Sequence, residues 1–290
     1  MNTCEATKVS AYARLVRLDR PIGIWLLLWP VLWALWLSSD GRPDPHVVLV
    51  FVAGTVLTRS AGCAVNDYAD RGFDGHVRRT RDRPLVTGEV RPAEALAVAG
   101  VLAAAALALV STLDGRTVVL ALVGGLLLLT YPLMKRFFPL PQLYLGVAFT
   151  WSVPMAFSAH GAGMPRAAWL LFTAGLLWTT AYDTMYAMAD RDDDLRIGLR
   201  STAILFGSAD RAVIGVVQAA MAGVLALVGL ELGLGPWYAA GLVGAVACAV
   251  HQQRLIRHRE PAQCLRAFRN NTFSGLAVFA GIALDAGLPW

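Results

Sequence analysis

Apolar residues in this chain fall into long runs rather than the narrow stripe of a surface helix, and its polar residues gather between the runs. The runs stand near residues 22–39, 47–66, 93–113, 117–134, 141–160, 167–187, 212–231, 236–253 and 271–288. A helix needs about 20 mostly apolar residues to cross a bilayer. The pattern therefore predicts an all-α, polytopic membrane protein with nine transmembrane helices, read as one domain over 1–290. Two connections, 71–91 and 191–211, are long, charged and rich in Arg, and they read as capping loops over a site. Each follows the same order of helix, acid pair and several cations, which suggests two similar halves around a central cavity. Residues 1–20 are polar, with Tyr12, Leu15, Val16 and Leu18 set among Arg14, Arg17 and Arg20. That pattern suits an amphipathic helix lying on the cytoplasmic surface, and equally a plain basic flank of the first span.

With 57% hydrophobic and 16% charged residues, the composition excludes an ordinary soluble protein. A net charge of +5 would suit nucleic acid or anionic lipid, but the position of the charges points elsewhere. If the N-terminus is cytoplasmic, nine spans put 21 of the 25 Lys and Arg on that side, three (Arg42, Arg116, Arg166) on the other, and Arg59 within a span. The positive-inside rule then predicts a cytoplasmic N-terminus, cytoplasmic caps and an external C-terminus. Cys4, Cys63, Cys248 and Cys264 lack the spacing of a zinc or disulfide framework. No small-residue cleavage site precedes the run that begins at Ile22, so a cleavable signal peptide is not expected.

Carboxylates at the ends of such helices are costly and call for a reason. One cluster is Asn66-Asp67-x-x-Asp70-x-x-x-Asp74, and the other places Asp183 seven residues before Asp190, with Asp194 four further on. Spacings of four and seven on an α-helix predict that Asn66, Asp70 and Asp74 share one face, as do Asp183, Asp190 and Asp194. Mg²⁺ prefers oxygen ligands and usually binds one or two carboxylates together with substrate phosphates. Two acid clusters at one membrane face thus point to Mg²⁺ gripping a diphosphate. Ordinary solvated helix-end acids are the competing account, preferred for Asp82, Asp192 and Asp193.

The diphosphate would also need cationic donors, and Arg78, Arg79, Arg81, Arg83, Arg196 and Arg200 lie on the same side. Lys135 and Arg136 stand out because they end a span at the depth of the clusters, and Arg71 and Arg191 because each adjoins a ligand candidate. Arg59 lies seven residues before Asn66, two turns deeper, and a charge there needs an anionic partner. A substrate carboxylate would serve, as would an aspartate of the second cluster. Trp25, Trp29, Trp33 and Trp36 along the first run read as packing or lipid-interface residues. Tyr182 and Tyr186 share a face near Asp183 and Asp190, so the Tyr186 ring is a candidate to stabilise a developing carbocation.

The run Asn66-Asp67-Tyr68-Ala69-Asp70-Arg71-Gly72-Phe73-Asp74-Gly75-His76, continuing through Arg78-Arg79-Thr80 to Arg83-Pro84-Leu85, resembles the first motif of the UbiA superfamily of intramembrane prenyltransferases. The segment from Tyr182 through Asp190-Arg191-Asp192-Asp193-Asp194 to Ile197-Gly198 and Ser201–Gly207 is similar to its second. Arg17-Leu18-Asp19-Arg20-Pro21-Ile22-Gly23 and Tyr131-Pro132-Leu133-Met134-Lys135-Arg136 look specifically like the branch acting on 4-hydroxybenzoate. The resemblance covers about residues 14–210 and is diffuse beyond. It implies nine helices around a cavity in the bacterial cytoplasmic (inner) membrane, with both motifs at the cytoplasmic end. It further implies Mg²⁺ and prenyl diphosphate held by Asn66, Asp70, Asp74, Asp190 and Asp194, with Asp183 at the same site. The implied reaction is transfer of a polyprenyl group to 4-hydroxybenzoate at the carbon beside its hydroxyl, a step toward ubiquinone. Arg59 suits the benzoate carboxylate.

Haem, naphthoate and chlorophyllide are rival acceptors within the superfamily, and the flanking motifs and Arg59 argue against them. A phosphatidyl transferase using a CDP-alcohol would carry a single Asp-rich motif with Ala-Arg soon after Asp-Gly, whereas Asp74-Gly75 here leads into His76-Val77-Arg78. A cation-coupled transporter would favour acids at mid-membrane rather than at one end beside caps.

Overall fold

The computed structural model describes residues 3–72, 74–76 and 79–287, with the side chains of 3–7, 76 and 135 outside that description. Among the described residues there is no strand and there are twelve α-helices. They are α1 (Thr3–Leu15), α2 (Ile22–Leu37), α3 (Pro45–Asp70), α4 (Pro92–Val110), α5 (Gly115–Phe137), α6 (Pro141–Thr150), α7 (Ser152–Ala159), α8 (Arg166–Ile197), α9 (Thr202–Phe206), α10 (Asp210–Leu232), α11 (Pro236–Leu255) and α12 (Pro261–Gly287). Segments Pro45–Asp70, Pro92–Val110, Gly115–Met134 and Thr202–Leu232 are long and apolar enough to cross a membrane by themselves, and α2 is apolar but shorter. The protein is thus a membrane protein with several apolar helices. Length and composition alone single out fewer spans than the nine expected, because α8, α11 and α12 dilute their apolar length with polar residues such as Asp183, Thr184, Gln252 and Asn271, and the 141–160 run is divided between two short helices.

Proline and glycine set several boundaries. Asp44 caps α3 by accepting from the His46 amide, with Pro45 at the first helical position. Asp114 does the same for α5 through the Arg116 and Thr117 amides. The run expected as one span at 141–160 is split at Trp151 into α6 and α7. Pro154 has no amide to offer the Thr150 carbonyl, and the Trp151 indole is drawn aside to donate to the Leu120 carbonyl at 2.8 Å.

Helix α2 lies at the centre, against α3, α7, α8 and α12. Trp33 is fully buried, donates to the Gly275 carbonyl at 3.1 Å, and its ring centroid stands 5.1 Å from that of Trp178. Trp178 in turn donates to Asn271 Oδ1 at 3.0 Å. Gly275 lets α12 approach this closely, since a Cβ there would fall 2.3 Å from Trp29 Cδ1 and 2.9 Å from Trp178 Cη2. The tryptophan series of α2 is therefore interior packing over much of its length, not a lipid-facing belt.

The N-terminal helix docks on the protein. Ala11 and Leu15 of α1 pack against Ala64, Val90, Ala95 and Ala99, while Lys8 bonds Glu94 and Arg14 pairs with Glu89. The second cap also differs from its expected bounds. Helix α8 runs through 191–197 and stops where Gly198 takes φ +72°, so the non-helical connection begins only there.

Candidate functional site

One cavity of about 760 Å³ opens between α2, α3, α5, α6, α8 and α12 and is roofed by the caps. The end of α3 sends Arg59, Asn66, Asp67 and Asp70 into it, and α8 sends Tyr182, Asp183, Tyr186, Asp190 and Asp194. Asp74 arrives differently from the expectation of a continuous helical face. Helix α3 ends at Asp70, the chain turns, and Asp74 opens a single 3-10 turn that returns its carboxylate to the same cavity. The spacing of four thus acts through a helix in the second cluster and between Asn66 and Asp70 of the first, and through a turn only for Asp74.

Arginines from the caps and the α1–α2 link hold these acids. Arg79 makes a two-pronged bond to Asp190, Nε to Oδ1 at 3.0 Å and Nη2 to Oδ2 at 2.6 Å, with its guanidinium 4.7 Å from the Tyr186 ring centroid. Arg83 bridges Asp74 at 2.5 Å and Asp67 at 3.0 Å. Arg17, whose φ is +61°, grips both oxygens of Asp67 at 2.8 and 2.9 Å. Asn66 donates to Asp70 at 3.1 Å. Burial pushes the Asp74 carboxyl above its ordinary range, and the Arg83 guanidinium opposes that rise.

Deeper in the cavity, the Arg59 guanidinium lies 5.9 Å from the Phe149 ring centroid, and its Nε meets no hydrogen-bond partner among the described residues. At 1.5 Å per residue, the seven residues to Asn66 put it roughly 10 Å below the acid level. The walls between the two levels are largely apolar or aromatic, including Tyr131, Leu145, Phe149 and Phe268.

Other residues proposed from the sequence stand outside this cavity. Arg71 is exposed, donates to the Tyr68 carbonyl at 2.6 Å and stacks on its ring. Arg136 reaches the Ala69 carbonyl at 3.1 Å. Arg191 turns away from its neighbour Asp190 to pair with Asp210, which Arg259 also holds at 2.8 Å. The side chain of Lys135 and the whole of Arg78 lie outside the described residues. The sequence reading overlooked Arg17 and Asp67 as builders of the site, and their spacing of 50 residues carries no local signal. It also missed Gln142, whose Oε1 accepts from the Thr202 amide at 2.9 Å and anchors the second cap to α6.

Among the described residues, no three acids, histidines or cysteines converge into a ready-made metal cage. The donor set still suits Mg²⁺, which takes only one or two carboxylates and completes its shell with water and substrate phosphate. The oxygen-bearing residues Asn66, Asp70, Asp74, Asp190 and Asp194 all line the one cavity.

The UbiA prenyltransferase family profile matches residues 27–276. A protein of Aeromonas salmonicida (strain A449) named 4-hydroxybenzoate octaprenyltransferase is 54% identical over 289 residues, covering 100% of both chains. One of the same name from Methylococcus capsulatus (strain Bath) is 54% identical over 279 residues, 96% of each chain. Among solved structures, the apo form of a UbiA homolog from Aeropyrum pernix K1 superposes with TM-score 0.81 at 27% identity, over 90% of this chain and 97% of that one. A UbiA homolog from Archaeoglobus fulgidus, bound to GPP and Mg²⁺, superposes with TM-score 0.73 at 19% identity, over 96% and 100%. The fold, the two acid clusters meeting in one cavity and these full-length matches agree: the chain belongs to the UbiA prenyltransferase family.

Proposed function

We propose that this protein transfers a polyprenyl group from polyprenyl diphosphate to 4-hydroxybenzoate, at the ring carbon beside the hydroxyl, and releases diphosphate. The product, a 3-polyprenyl-4-hydroxybenzoate, is an intermediate on the way to ubiquinone. One observation carries the reading: both acid clusters line a single cavity that also holds Arg59, an anion-seeking cation whose Nε has no hydrogen-bond partner among the described residues. Relatives 54% identical over the full chain bear the name of the same activity.

In this reading Asn66, Asp70, Asp74, Asp190 and Asp194 hold Mg²⁺ on the diphosphate, with Asp183 beside them. When bound, Mg²⁺ supplies Lewis-acid neutralisation of the leaving group. Arg79 and Arg83 are already at the acid level to donate to the remaining phosphate oxygens. The allylic C–O bond breaks and its electron pair leaves with the diphosphate. The electron-rich ring then bonds to the freed carbon and loses its own hydrogen as a proton. Tyr186, whose side chain lines the same cavity, stabilises that cationic carbon through its ring. Apolar walls keep water from capturing the carbon. Arg59 holds the carboxylate of the acceptor, orienting the ring.

The chain sits as one domain in the bacterial inner membrane, crossing nine times when α6 and α7 count as one broken span and α9 with α10 as another. Both caps and the N-terminus are cytoplasmic, an orientation supported by the 21 Lys and Arg on that side.

The test is an assay of membranes with radiolabelled 4-hydroxybenzoate and long-chain polyprenyl diphosphate, with and without Mg²⁺, for the wild type, Asp70→Asn and Asp190→Asn. Label is expected in the lipid extract only with Mg²⁺, and each substitution is expected to lower the rate by about 100-fold or more, about 2.7 kcal/mol. A well-folded wild type that transfers no label across several tail lengths would move the acceptor to another aromatic or a tetrapyrrole.

A further inference from the structure

Gly23 stands in the first turn of α2, is buried, and lines the cavity. Its backbone is helical and does not need glycine for conformational reasons. Space does: a Cβ there would fall 2.5 Å from Arg59 Nε, 2.6 Å from Nη2 and 2.9 Å from Cζ. The Nε–Nη2 edge of the guanidinium therefore lies against bare backbone, with the Phe149 ring as another neighbour. By contrast, at Gly54, on the same helix as Arg59, a Cβ would meet nothing within 4 Å.

We propose that Gly23 is a positioning residue: it is the seat of the Arg59 guanidinium and so sets how tightly the site takes an acceptor bearing a carboxylate. The proposal rests on the reading of Arg59 as the partner of that carboxylate. Any side chain at position 23 must displace the guanidinium. Because the displaced atoms are the free end of a long side chain, the helix itself can stay in place. A shift of about 1 Å is enough to spoil a two-pronged carboxylate contact, and misplacements of that size can cost up to 100-fold.

The experiment is a double-mutant cycle read by equilibrium binding of radiolabelled 4-hydroxybenzoate and, separately, of a polyprenyl diphosphate with Mg²⁺. The proteins compared are the wild type, Gly23→Ala, Arg59→Ala, the double variant, and Gly54→Ala as control. Gly23→Ala is expected to weaken 4-hydroxybenzoate binding about tenfold while leaving the diphosphate within about twofold, and to add nothing in the Arg59→Ala background. Gly54→Ala is expected to match the wild type. Wild-type affinity in Gly23→Ala, an equal loss for both ligands, or a full additional loss in the double variant would overturn the seat. Unchanged 4-hydroxybenzoate binding by Arg59→Ala would instead overturn the reading of Arg59 itself. Should Gly23→Ala accumulate poorly, the double variant decides: recovery of folded protein to the Arg59→Ala level supports the seat, and continued failure refutes it.

Discussion

Arg79 commits the Nε–Nη2 edge of its guanidinium to both oxygens of Asp190, yet Asp190 is one of the acids proposed to face Mg²⁺. Cap and acid are therefore already in register, and the arrival of diphosphate offers Arg79 an alternative anion while freeing Asp190. A hydrogen bond to a charged group contributes about 1.5–3 kcal/mol. Arg79→Ala is accordingly expected to lower kcat/KM for the prenyl diphosphate about tenfold to hundredfold, leaving KM for 4-hydroxybenzoate unchanged, with partial recovery in Arg79→Lys; initial rates at varied diphosphate would check it. At this scale the sequence revealed which residue types were needed but not which copies. Adjacency favoured Arg71 and Arg191, and both turn elsewhere, Arg71 to its own helix end and Arg191 to buried Asp210. Neighbours in a helix point about 100° apart, so standing next to a cavity-facing aspartate does not by itself aim a side chain into the cavity.

Helices carry the two acid clusters by different means. Helix α8 continues seven residues beyond Asp190 and presents Asp183, Asp190 and Asp194 as a stripe, as its spacing implied. Helix α3 stops at Asp70 and relies on a turn for Asp74, pinned by Arg83. Periodicity could not foresee that stop, because the segment after Asp70 is polar in either conformation. The junction of α2, α8 and α12 is set by the close approach at Gly275, where a methyl group would have to displace two indoles. Overpacking of this kind costs about 1–3 kcal/mol. Gly275→Ala should therefore lower the Tm of the purified protein in detergent, while ligand affinity at the cavity changes little in the protein that remains folded.

For the whole molecule, the proposed orientation makes a direct prediction. In a cysteine-free background, cysteine placed at the exposed Asp40 or Gly161 should react with a membrane-impermeant thiol reagent applied to intact cells, and cysteine at the exposed Asp82 only after permeabilisation. The opposite labelling pattern would invert the topology. Much of the architecture was readable in advance, since lipid and protein interior both select apolar side chains and a run of them marks a helix without knowledge of its neighbours. The sequence alone thus determined the all-helical membrane class, the approximate helices, and the two acid clusters with the chemistry they imply. The tertiary structure decided the break at Trp151, the docking of α1, the seat of Arg59 on Gly23, and the pairing of Arg79 with Asp190 across 111 residues and of Arg17 with Asp67 across 50. Those choices depend on which faces of distant helices meet. A charged side chain carries no local mark of its partner, and its partner is set only when packing brings the helix ends and caps together.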